Sequence, residues 1–111
     1  MSPRKGSPEV LRFLSGLGLA ARARRLRIGP DAVISAIRSA EATVVVIAGD
    51  APENVRRRLS RLAAAKRLPH VRVLDGDRLG EALGRERIVA LALTDESLGK
   101  RVLELAAEVE G

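Results

Sequence analysis

Val10, Phe13, Leu14 and Leu17 recur at i, i+3, i+4 and i+7, the spacing of one buried helical face. Ser7-Pro8-Glu9 precedes them with a capping hydroxyl, a proline suited to the first helical position and an early acid. Gly16 and Gly18 predict an end to this helix near residue 18. A basic connection follows, Arg22-Ala-Arg-Arg-Leu-Arg27, in which Arg25-Leu26-Arg27-Ile28 alternates as a short edge strand would. Gly29-Pro30-Asp31 opens a second helix. At about 100° per residue, Ala36, Ile37 and Ala40 fall within about 60° of Val33, while Asp31, Ser35 and Arg38 lie on the opposite side.

Thr43-Val-Val-Val-Ile-Ala-Gly49 has no polar alternation, so it predicts a strand covered on both faces. Asp50-Ala-Pro-Glu-Asn54 starts a third helix reaching about Arg67, with Val55, Leu59, Leu62 and Ala63 inward and Arg57, Arg58 and Arg61 outward. His70-Val-Arg-Val-Leu74 reads as an edge or half-covered strand, and Asp75-Gly-Asp77 turns into a short fourth helix ending at Gly84. Ile88–Leu93 is the second wholly apolar strand. Thr94-Asp95-Glu96-Ser97 caps a last helix carrying Leu98, Val102, Leu105, Ala106 and Val109. Strands alternating with helices over such crossovers imply an α/β fold with parallel pairs. The expectation is a three-layer α/β/α sandwich on a four-stranded mixed sheet, its two apolar strands central and its Arg-bearing strands outer. Residues 1–7, polar and rich in Pro, Gly and Ser, are expected to be a flexible tail, and 8–111 a single domain.

Composition narrows the chemistry. The 111 residues are 46% hydrophobic, enough for one core. Lys and Arg number 20 against 14 acids, for a net charge of +6, and Arg supplies 17 of those bases. Its planar fork suits bidentate contact with phosphate. The absence of cysteine excludes disulfides, thiol catalysis and Cys-ligated zinc. A single histidine, His70, excludes a His cluster. With Phe13 the one aromatic residue, base stacking on aromatic rows is excluded too. No apolar run approaches the ~20 residues of a membrane span, and the start lacks a signal-type stretch, so a cytoplasmic location is expected.

Catalysis finds no support. Ile28-Gly29-Pro30-Asp31 is neither a dinucleotide fingerprint nor a phosphate loop. Asp75 and Asp77 around Gly76 read as turn and cap, Ser60 and Ser97 have no neighbouring His, and His70 follows Pro69 at a strand start. No catalytic residue, metal or cofactor is expected. Binding fares better. Basic segments at 22–27, 56–61 and 85–87 are solvated faces in the simplest reading. The first, however, leads into the start of the second helix, where free N–H groups and the helix dipole favour phosphate.

Several separated segments carry a resemblance as well: Gly-Leu-Ala-Ala-Arg-Ala (18–23), Gly29, Ala-Ile-Arg-Ser (36–39), Val-Val-Val-Ile-Ala-Gly-Asp (44–50), Asn54, Leu79-Gly80 with Gly84, and Ala-Leu-Ala-Leu-Thr-Asp (90–95). From Leu17 to about Leu105 the chain resembles the ribosomal protein superfamily of L-seven-Ae and L-thirty-e, in particular its small bacterial YlxQ-like branch. The resemblance implies an L-thirty-e-like α/β/α sandwich that binds kink-turn or related structured RNA. It also implies that the start of the second helix and the loop before the last strand grip the RNA. Kink-turn binders carry Gly-x-Asn-Glu-x-x-Lys at that helix start. Here Gly29 is kept, while Asp31, Ala32 and Ser35 stand at the Asn, Glu and Lys positions. A lysine donor is thereby lost, and Asp31 would repel phosphate unless it caps the helix or accepts from a base amino group. The second loop, apolar in strong kink-turn binders, is Arg85-Glu86-Arg87.

The leading expectation is a non-enzymatic, ribosomal-protein-like RNA-binding protein using Arg25, Arg27, Gly29, Pro30, Asp31, Ala32, Ser35, Arg38, Arg85, Glu86 and Arg87. These residues are expected to form a cationic rim around the start of the second helix. Expected partners are structured RNA, ribosomal RNA foremost, and other ribosome-associated proteins, with no membrane and no small-molecule substrate. The alternative is a protein-interaction module that kept the fold and lost RNA recognition. A third reading, the substrate-recognition domain of an RNA methyltransferase, calls for a catalytic domain beyond Gly111.

Overall fold

The computed structural model describes residues 6–110. Five helices and four strands alternate: α1 (Pro8–Arg22), β1 (Leu26–Ile28), α2 (Pro30–Arg38), β2 (Val44–Ile47), α3 (Glu53–Ala65), β3 (His70–Arg72), α4 (Gly76–Ala82), β4 (Ala90–Leu93) and α5 (Glu96–Glu110). Of the tail expected over residues 1–7, residues 1–5 lie outside the described residues. Ser7 caps α1, its Oγ accepting from Val10 N–H.

Helix ends depart from the sequence reading in an instructive way. α1 does not stop at Gly18 but runs on to Arg22. Gly16 serves packing instead: a Cβ there would come within 3.0 Å of Leu105 on α5. The stop is made by Arg24 in the left-handed region (φ 58°), with Arg24 N–H bonded to Ala21 O and Arg25 N–H to Ala20 O. That pair of bonds is a Schellman closure without its usual glycine. Ala40 (φ 64°) closes α2 and Arg67 (φ 57°) closes α3 by the same pattern. Ala40 is therefore exposed beyond the helix rather than inward, and Ile34 takes the fourth buried place beside Val33, Ala36 and Ile37. α4, by contrast, is closed after Ala82 by a glycine, Gly84 (φ 73°), the residue its sequence marks as the stop.

The sheet is mixed, in the order β1-β4-β2-β3, with the two fully buried apolar strands adjacent at its centre. β4 runs antiparallel to both neighbours, so the only parallel pair among the described strands is β2–β3, fewer than the alternation suggested. The sequence pattern could not show that the crossover from β3 through α4 reverses direction. The two faces of the sheet bury different clusters. Val44, Val46, Leu91 and Leu93 pack with Val10, Phe13, Leu17 and Leu105, the faces of α1 and α5, together with Leu79 of α4. Val45, Ile47, Ala90 and Ala92 pack with Val33, Ile37, Leu59 and Ala63 of α2 and α3. The three-layer α/β/α sandwich follows.

β4 alternates large and small, offering leucines to the α1–α5 layer and alanines to α2 and α3. Small side chains at 90 and 92 let α2 lie close over the strand. An Ala92→Leu substitution has no space to occupy and is expected to cost about 1–3 kcal/mol. Urea unfolding should show a lower midpoint with an unchanged slope.

Candidate nucleic-acid interface

β4 register places several turns at one end of the sheet. Gly29 N–H bonds to Ala90 O (2.9 Å) and Ala48 N–H to Val89 O (2.9 Å), so the exits of β1 and β2 flank the entry of β4. Because β3 is parallel to β2, its exit and the start of α4 lie at this end as well. The beginnings of α2, α3 and α4 and the loop 84–88 therefore share one rim of the molecule. Both parts of the site that the family resemblance implies, the α2 start and the 85–87 loop, are here.

At the α2 start, Gly29 takes φ 101° and ψ 152°, a conformation open essentially to glycine alone. Its carbonyl accepts from Val33 N–H (2.9 Å), and Pro30 occupies the first helical position. No side chain caps this helix, so Asp31 does not serve as the cap. Asp31, Ser35 and Arg38 are exposed, and Ala32 is half-buried. Asp31 keeps an outward carboxylate able to accept from a donor such as a base amino group.

The 85–87 loop is clamped from beneath. Arg85 N–H bonds to Gly80 O (2.7 Å) and Ile88 N–H to Gly76 O (3.0 Å). A Cβ on Gly80 would lie 2.8 Å from Arg85 O, Arg87 N and Glu86 C, so the loop backbone rests directly on that helix position. Arg87 reaches Asp50 Oδ2 (3.3 Å) and Asp77 Oδ1 (3.9 Å), and it donates to Asp50 O (3.4 Å). Asp50 Oδ1 also accepts from Gly76 N–H (2.9 Å), joining the β2–α3 turn to the start of α4. Arg85 and Glu86 are exposed, and among the described residues neither side chain has a hydrogen-bond or ion-pair partner.

The expected cationic rim does not close. Arg25 sits before β1, where its carbonyl accepts from Thr94 N–H just past β4, at the far end of the sheet. Four residues of extended chain set it about 13 Å from Gly29. Arg27 is paired with Glu41 (3.4 Å) and donates to Leu26 O (3.2 Å), drawn toward the chain beyond α2. Arg87 is carboxylate-paired as above. Arg38 and Arg85 remain as exposed cations without ion-pair partners among the described residues.

Sequence reasoning missed what α3 adds. Arg58, read as one of an outer solvated face, lines with Asp31, Ile34, Ser35, Arg38 and Ser39 a groove between α2 and α3. The groove continues past Asn54 and Val55 to Pro30. The spacing from Asn54 to Arg58, one helical turn on the flank of the Val55–Leu59 stripe, is the signal that pointed there. Among the described residues no group of three or more His, Asp or Glu side chains is placed to hold a metal ion, and no helix is long and apolar enough to cross a membrane.

Comparison with known proteins adds an independent line. The family model described as ribosomal protein L7Ae/L30e/S12e/Gadd45 matches residues 12–103. The chain is 34% identical over 89 residues to the RNA-binding protein YlxQ of Bacillus subtilis (strain 168), spanning 80% of this chain and 89% of that one. A solved structure from Bacillus halodurans C, described as of unknown function, superposes with a TM-score of 0.84 at 29% identity, covering 86% of this chain and 97% of that one. The Giardia lamblia 15.5kD RNA binding protein shares the fold, with a TM-score of 0.77 at 22% identity over 97% of this chain and 92% of that one.

Two backbone positions test this geometry. Gly29→Ala forces a Cβ into a glycine-only conformation and is expected to destabilise the fold by about 1–3 kcal/mol in chemical denaturation. Gly80→Ala should displace the loop above it, read as altered backbone chemical shifts concentrated at residues 84–88.

Proposed function

Since the chain belongs to the ribosomal protein L7Ae/L30e/S12e/Gadd45 family, we propose that it is a non-enzymatic RNA-binding protein acting on structured, ribosome-associated RNA in the cytoplasm. The carrying observation is the meeting of the α2 start, with its uncapped N–H groups, and the 85–87 loop at one end of the sheet. Backbone donors left without a side-chain cap at the α2 start, and the Arg85 guanidinium, unpaired among the described residues, address phosphate, and Asp31 addresses a base donor. With Asp31, Ala32 and Ser35 at the helix start, selectivity rests on RNA shape more than on the kink-turn contacts that a Gly-x-Asn-Glu-x-x-Lys start makes. Arg38 joins the phosphate contacts. Arg25 and Arg27 act as peripheral charges, and Pro30, Glu86 and Arg87 shape the surface.

A second reading, a protein-interaction module that no longer recognises RNA, is favoured by those same three substitutions at the α2 start. The two readings part on a simple measurement. The chain has no Trp or Tyr, so the pure protein absorbs little at 280 nm, and RNA retained through low-salt purification would dominate its ultraviolet spectrum. RNA binding predicts that retention, together with a steep fall of log affinity with log salt. Arg85→Gln should flatten this slope by about one unit, whereas Arg27→Gln, already partnered by Glu41, should flatten it less. A spectrum free of nucleic acid and a flat salt response would overturn RNA binding and favour the interaction module.

A further inference from the structure

We propose that the groove between α2 and α3 is a second phosphate-binding track, in which Arg58 of α3 and Arg38 of α2 grip the RNA backbone beyond the α2 start; the inference rests on the RNA-binding reading above. The groove, ≈ 520 Å³ beside Arg38 and ≈ 160 Å³ toward Pro30, is open along its length. Arg58 borders both parts and so stands at their junction. Ile34, Val55 and Leu59 form an apolar floor, and Ser35 and Asn54 add polar groups to the walls.

Among the described residues neither groove arginine has a carboxylate partner, whereas neighbouring Arg27, Arg56 and Arg57 each have one. Glu53 is taken by Arg57 (2.6 Å) and Arg56 (3.7 Å), and Glu41 by Arg27 (3.4 Å) and the Ser39 hydroxyl (3.0 Å). The carboxylates nearest along the chain to Arg58 and Arg38 are thus engaged elsewhere. Asp31, the one acid lining the groove, lies beyond ion-pair distance of both arginines. Two like charges facing one channel repel, and an anion lying between them removes that repulsion. A forked guanidinium on each wall matches the oxygens of successive phosphates.

The shape argues for an extended polyanion, since an open groove does not enclose a small anion. Continuity argues for RNA over an acidic peptide. The groove starts at Pro30, beside the Gly29 turn, so a strand leaving the α2 start runs directly into it. Asp31 near its mouth repels phosphate and carboxylate alike, but a nucleic acid also brings base amino groups from which it can accept.

The test measures the salt dependence of binding to two synthetic RNAs, a kink-turn flanked by duplex and a plain hairpin of the same length. Four proteins are compared: wild type, Arg38→Gln/Arg58→Gln, Arg38→Lys/Arg58→Lys, and the equally discharged remote control Arg24→Gln/Arg101→Gln. Loss of two phosphate contacts should reduce the log–log slope by about 1.8 units in the Gln pair, with the Lys pair keeping most of the slope and the remote control most of its affinity. All four substituted positions are exposed, so folding should be kept, as circular dichroism will verify. A wild-type slope in the Gln pair, with Arg85→Gln still flattening it, overturns the second track and leaves the RNA reading standing. Equal losses in the Gln pair and the remote control overturn the track as well, because only net charge then matters. A wild type that binds neither RNA overturns the reading and the track together. Poly-glutamate bound as tightly as RNA, and released by the Gln pair, overturns the assignment to RNA.

Discussion

The site depends on where β4 sits. The strand is hydrogen-bonded on both sides, antiparallel to β1 and β2, and all four of its residues are buried. Its register decides which side chains meet which layer, since a slip of one residue would exchange alanines for leucines on both faces. The same register bonds Ala90 O to Gly29 and Val89 O to Ala48, which fixes the α2 start and the β2–α3 turn relative to the 85–87 loop. A surface assembled from four separate turns thus inherits its geometry from one strand at the centre of the core.

Around that strand the arginines divide into two populations. Some are tied: Arg12 to Glu108, Arg27 to Glu41, Arg57 to Glu53, Arg78 to Asp75 and Arg87 to Asp50. Solvent-exposed pairs of this kind contribute little stability, typically about 0–1 kcal/mol each. Their larger consequence is local neutralisation, which withdraws those cations from a polyanion. Arg38, Arg58 and Arg85 are among those without such partners in the described residues, and they keep positive charge available in the α2–α3 groove and on the loop above α4.

The element order and the layers were legible because hydrophobic periodicity states them almost directly. Val44–Ile47 and Ala90–Leu93 lack polar alternation and can lie only at the centre of a covered sheet. Helix ends were less legible. Glycine is the ordinary marker of a helix stop, yet Arg24, Ala40 and Arg67 adopt the left-handed conformation and close three helices, while Gly16 sits inside one. In each case the bonds that close the helix compensate for a conformation the residue type disfavours.

By itself the sequence determined the fold class and the cationic character, because pattern and composition are local properties, while the two segments that meet at the α2 start were implied by the family resemblance. Which charges remain available was decided by tertiary structure. Three residues of β1 carry Arg25 to the far end of the sheet, Glu41 and Asp50 return from distant turns to engage Arg27 and Arg87, and Arg58 is brought beside Arg38 only when α3 packs against α2. Ion pairing and groove formation join residues far apart in the chain, and no spacing rule along a single segment encodes them.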